Sequence, residues 1–121
     1  MNSKRVYAIL MKLEILFGNR TTERIFLHLF HYSEIHARGI ARDYGSVVSP
    51  FLRQLSRLEN AGILVSRTVG KTRLYQFNPK SAYTTPLKKV IEITYENITL
   101  NEREKLFHER RRPRRKGKPV L

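Results

Sequence analysis

Between positions 47 and 60 the chain reads VVSPFLRQLSRLEN. Phe51, Leu52, Leu55 and Leu58 are spaced for the buried side of a helix, which leaves Ser49, Arg53, Gln54, Ser56 and Arg57 for the other side. Those polar residue types suit the reading of base pairs. An arginine can bond guanine O6 and N7 together, and a glutamine can do the same at adenine N6 and N7. Ser49, Pro50, Arg53 and Gln54 stand at the start of the helix. That is the part which reaches base edges when a helix enters the major groove, a channel about 12 Å wide. Arg57, one turn further on, is spaced for phosphate instead. Surface arginines usually do no more than solvate a helix. Here the segment carries no acid before Glu59, follows a short helix and a glycine turn, and precedes a basic hairpin.

The hairpin is read from residues 63–77, where apolar and polar residues alternate on both sides of Gly70. Arg67, Lys71, Thr72 and Arg73 surround that glycine, three cations with no anion among them. A basic loop of this kind can straddle a phosphate ridge or enter the minor groove, where arginine is favoured.

These two elements need a scaffold, and the apolar periodicity supplies one. Val6, Ile9, Leu10, Leu13 and Leu16/Phe17 predict a first helix over residues 3–17, with Tyr7, Met11 and Ile15 as a second apolar stripe. A helix apolar on two sides is buried all round or shared with a second subunit. Gly18-Asn19 ends it, and Thr21 or Thr22 is expected to cap a second helix marked by Ile25, Phe26, Leu29 and Phe30. Ser33 is expected to cap a third, with Ile35, Ile40 and Ala41 inward and Arg38 and Arg42 outward, before the Tyr44-Gly45 turn. Asn78-Pro79 stops the hairpin. Leu87, Val90, Ile91, Thr94, Tyr95 and Ile98 predict a fifth helix over residues 85–97, and Thr99-x-x-Glu102 has the capping-box pattern of a sixth. The fold class expected is mainly α with a two- or three-stranded β-wing. Residues 1–98 are expected to form the binding and dimerisation domain, and residues 99–121 a final helix and basic tail.

The stretch Leu55-Ser-Arg-Leu-Glu-Asn-Ala-Gly-Ile-Leu-Val65, within a similarity running from about residue 16 to 89, resembles the winged helix-turn-helix of ArsR/MarR-type transcriptional regulators. The resemblance implies that this stretch ends a recognition helix and enters a wing. It also implies a homodimer built from the terminal helices, here through Tyr7, Met11, Ile15, Ile91, Tyr95 and Ile98, on a two-fold operator with half-sites one helical turn apart. The implied function is that of a sequence-specific repressor. The chain departs from metal-sensing members, having no cysteine pair in the third helix and no His/Asp set in the fifth. His28, His31, His36 and Glu34 lie close in sequence, but loose histidine spacing reads as ordinary surface or half-buried imidazole. No metal and no cofactor are expected.

Composition agrees with a polyanionic partner. Lysine and arginine number 24 against 10 acids, a formal charge of +14 in 121 residues with a sequence pI near 10.7. Such an excess repels itself and commonly exists to meet nucleic acid. Nine basic and three acidic residues between Asn101 and Leu121 account for +6 of it. Within that tail Arg111, Arg112, Arg114, Arg115 and Lys116 are candidate phosphate contacts, flanked by Pro113 and Pro119. An anionic membrane fits less well, because no segment joins a basic face to a broad aromatic one. The first residues imitate a signal peptide, but Lys12 and Glu14 interrupt the apolar run and no cleavage site follows. With no cysteine, a reducing cytoplasm is the expected location. There is no phosphate-cradling glycine loop, no nucleophile beside a base and no paired carboxylates, so an enzyme is not expected. Two other readings stand beside the regulator: an adaptor that docks a separate catalytic partner, and an architectural or RNA-binding basic protein.

Overall fold

The apolar stripes of the sequence close on one another in a mainly helical arrangement with an antiparallel hairpin. The computed structural model describes residues 12–107. In chain order these are α1 (residues 12–17, as far as it is described), α2 (Arg20–Tyr32), α3 (Ala37–Asp43), α4 (Ser49–Asn60), β1 (Leu64–Val69), β2 (Thr72–Phe77), α5 (Thr84–Glu96) and α6 (Leu100–Leu106). Tyr7 and Met11 and the tail from Arg111 to Lys116 lie outside the described residues.

Helix α2 is the centre of the packing. Thr22, Glu23 and the run Ile25–Leu29 are all buried, so the helix is covered on more than one side. It packs against α3, α4 and α5. Leu13, Ile25, Leu29, Ile40, Phe51, Leu55, Leu64 and Ile91 form the core with the inward residues of the hairpin, Tyr75 and Phe77. Fully burying each such side chain contributes about 1.5–3 kcal/mol. Phe107, just beyond α6, joins the same cluster.

Two caps differ from expectation. Asn19, not Thr21 or Thr22, caps α2, its side chain accepting from the Thr22 N–H at 2.9 Å. Helix α2 starts two or three residues earlier than a threonine cap requires, and asparagine is as good a cap. Ser33 ends α2 in the left-handed region (φ 74°), and its N–H bonds the Leu29 carbonyl. His36 caps α3 in its place, Nδ1 accepting from the Gly39 N–H at 3.2 Å. The capping box opening α6 is present as the pattern requires. Thr99 accepts from the Glu102 N–H, and Glu102 accepts from the Thr99 N–H.

In the hairpin Leu64 pairs with Phe77 and Val69 with Thr72, leaving Gly70-Lys71 as a two-residue loop. Gly70 has φ 63° while Lys71 is not left-handed, the backbone pattern of a type II′ turn that matches strand twist. On its other edge β2 forms one further rung. The Ile35 and Tyr75 backbones exchange hydrogen bonds at 3.0 and 2.8 Å. The sheet therefore has two strands and a one-residue third.

The residues expected at a dimer interface need correction. Ile91 and Ile98 are buried within the chain itself, and Tyr95 is half-buried with its ring 4.8 Å from that of Phe30. Periodicity reveals an apolar stripe but not what covers it, and here α2 and α6 do. Ile15 alone of the described members of that set is exposed, and Leu16, Val47, Tyr83, Ile93 and Leu100 are likewise about two-thirds exposed or more.

Candidate nucleic-acid interface

The connection from α3 to α4 sets the direction of α4. Gly45 takes φ 60°, a conformation that any side chain would strain. Tyr44 beside it stacks on Phe51 with ring centroids 6.4 Å apart, and the Arg24 guanidinium lies 4.2 Å over the Tyr44 ring. Below, His28 joins α2 to α3. Its Nδ1 donates to the Arg24 carbonyl at 3.0 Å and its Nε2 meets Asp43 Oδ2 at 2.9 Å, with both side chains fully buried. Pro50 occupies the first turn of α4, where its missing N–H breaks no helical bond.

Helix α4 presents Ser49, Arg53, Ser56 and Arg57 as its exposed face. Among the described residues Arg53 has no hydrogen bond or ion pair, and Arg57 donates to Gln54 Oε1 at 3.5 Å. Two positions depart from the helical reading. Gln54 is half-buried, and its Oε1 accepts from the Thr22 hydroxyl at 3.4 Å. It stands at the rim of a groove of about 630 Å³ floored by Phe17, Phe26, Leu58 and Leu87, away from Arg53. One helical step of about 100° separates adjacent side chains, so neighbours in sequence need not share a face. Leu52, expected in the core, is half exposed. It faces a cleft between α4 and the hairpin.

That cleft, about 440 Å³, is lined by Val48 just before α4 and Leu52 within it, Arg38 and Arg42 from α3, and Lys71, Thr72 and Arg73 from the hairpin. The hairpin's basic tip and the start of α4 thus border one depression. Arg38 and Arg42 join the candidate site through it. Their outward direction is legible in the sequence, but their nearness to the hairpin tip is not.

The hairpin cations have acid partners that the local sequence does not reveal. Arg67 Nε and Nη2 donate to the two carboxylate oxygens of Glu34 at 2.8 and 3.0 Å. These bonds hold the Glu34 carboxyl below its ordinary pKa. Arg73 Nη2 lies 3.5 Å from Glu59, which also accepts from the Ser66 hydroxyl at 2.6 Å. The expectation of a basic turn without anions therefore holds for the loop alone. Glu34 and Glu59 arrive from the segment after α2 and from the end of α4. Lys71, exposed at the tip, makes no ion pair among the described residues.

The three histidines among the described residues have structural tasks. His28 is buried against Asp43, His36 caps α3, and His31 stacks on Phe107 (4.2 Å between centroids) with Nδ1 2.7 Å from the Tyr95 hydroxyl. Among the described residues no group of three or more His, Asp or Glu side chains is arranged to hold a metal ion. No helix among them is long and apolar enough to cross a membrane. No protein-family model matches the chain, and neither a curated protein nor a solved structure was found that matches it.

Proposed function

We propose that the protein is a sequence-specific regulator of transcription that binds double-stranded DNA as a winged helix, with α4 in the major groove and the β1–β2 hairpin as the wing. The observation that carries this reading is the exposed face of α4, free of acid from Ser49 to Arg57, beside a cleft edged by Arg38, Arg42, Lys71 and Arg73. The order α2, single-residue rung, α3, α4, hairpin supports the winged arrangement. Arg53, exposed and unengaged, is the base-reading side chain, with Ser49 beside it. Arg57, Lys71 and Thr72 take phosphate oxygens. Gln54, drawn toward α2, serves the helix packing and is not assigned a base. The surplus of +14 supplies the sequence-independent part of the affinity.

The exposed apolar residues Ile15, Leu16 and Ile93 support a second copy as partner, which would set two recognition helices on a palindromic operator. Occlusion of a promoter by such a dimer makes repression the expected outcome, and a cytoplasmic location goes with this reading. A footprint of the purified protein on the DNA upstream of its own gene tests the reading, with the Arg53→Ala variant as control. Loss of a base-reading bond costs about 1–3 kcal/mol of discrimination. The variant should therefore bind operator roughly five- to 150-fold weaker while its affinity for random duplex changes little. A uniform loss on both DNAs points to the charge-driven architectural reading instead.

A further inference from the structure

We infer that Glu34 and Glu59 act as intramolecular acid clamps on the hairpin, masking two of its arginines so that non-specific DNA is held weakly; the inference rests on the DNA-binding reading above. The two carboxylates engage opposite faces of one ribbon. Strand alternation and the register put Ser66, Arg73 and Tyr75 on the face toward α4, and Arg67 and Leu74 on the outward face. Glu59 reaches the inner face, bonding Ser66 and Arg73. Glu34 reaches the outer face, bonding Arg67 through both of its oxygens.

Neither acid is placed there by the hairpin itself. Glu34 precedes Ile35, whose two backbone bonds to Tyr75 pin the segment against β2. Glu59 lies in the last turn of α4, so its grip on Arg73 couples the recognition helix to the wing. In a chain of 10 acids and 24 bases, two acids committed to hairpin arginines are a selective use of negative charge. The Arg67 side chain remains 60% exposed although paired, so it is within reach of a phosphate once the carboxylate is neutralised. Lys71 at the tip and Arg53 on α4 are left unclamped. The arrangement separates cations that always meet DNA from cations that must first release an acid. A sterically fitted operator complex can force that exchange, whereas a glancing encounter with random duplex does not. The biological quantity at stake is the specificity ratio and not affinity alone.

Glu34→Gln in the full-length chain tests this, with binding to operator and to random duplex measured across salt concentration and thermal stability followed in parallel. Freeing Arg67 for one phosphate adds about 0.9 to the log–log salt slope and tightens random-duplex binding roughly fivefold near 0.15 M salt. Operator binding should gain less, so the ratio falls. Adding Arg67→Ala to Glu34→Gln should abolish the gain, and Glu59→Gln should give a smaller effect of the same sign. Unchanged or weaker random-duplex binding by Glu34→Gln, whatever its melting temperature, overturns the clamp while leaving the DNA reading intact. Failure of the unmodified protein to bind any duplex removes both.

Discussion

At the scale of single residues, titration and hydrogen bonding decide what each polar group is for. Glu23 is nearly inaccessible, and burial raises its carboxyl from an ordinary 4.5 to about 7, although the Glu14 N–H donated to Oε2 at 2.9 Å partly opposes this. A carboxyl whose folded pKa is raised favours the fold in its neutral form. Its stabilising contribution is complete below about pH 4.5 and is lost as pH climbs through 7. Glu23→Gln keeps an acceptor for Glu14 without the charge. The variant should match the parent near pH 4 and exceed it at pH 8 by roughly 1–3 kcal/mol. Melting curves across that range check it, and parallel pH profiles for the two proteins would contradict the assignment. Arg53 and Gln54 show the same scale from the functional side. Both are adjacent in sequence and able to bond a base edge, and they diverge because only Gln54 finds a partner on α2.

At the scale of elements, ends and edges matter more than interiors. Helix α4 begins without a side-chain cap and relies on Pro50 and on the Tyr44-Gly45 turn for its start. Helix α6 is the reverse case, seven residues long and dependent on its capping box. Short helices are marginal in isolation, so the two reciprocal bonds between Thr99 and Glu102 hold the turn that delivers Phe107 to the core. Thr99→Ala should lower stability by about 1 kcal/mol, with Thr99→Ser close to the parent, as read from urea denaturation midpoints. The hairpin is held on both faces by acids from outside it and on its free edge by the Ile35 rung. A two-stranded ribbon on its own is marginally stable. These ties supply the order that the proposed wing needs to meet a duplex at a fixed angle.

At the scale of the whole molecule the governing quantity is charge. Six units of the surplus lie between Asn101 and Leu121, and the rest is spread over the first hundred residues, so removing the tail leaves a basic body. A protein ending at Phe107 should still select its operator, but with weaker binding and a shallower salt dependence. The slope should fall by about 0.9 for each phosphate that the tail neutralises. Affinity titrations at several salt concentrations check this, and equal slopes for the two proteins would count against any role of Arg111–Lys116 on DNA.

Periodicity, turn chemistry and charge are local properties, and the chain states them openly. The helices near 20–32, 49–60 and 84–96, the Gly70 hairpin, the capping box at Thr99 and the basic surplus are all legible before any coordinates are seen, because each depends on residues within one or two turns of one another. Which stripe of α5 is covered, which way Gln54 leans, and which acids answer Arg67 and Arg73 are settled only by packing. Glu34 stands 33 residues from Arg67 and Glu59 stands 14 from Arg73, and no local rule brings such groups together. They meet because the burial of Ile35, Tyr75, Phe51 and Leu55 in one core fixes the hairpin against α4, and the side chains at its edges then pair with whatever that closure sets beside them.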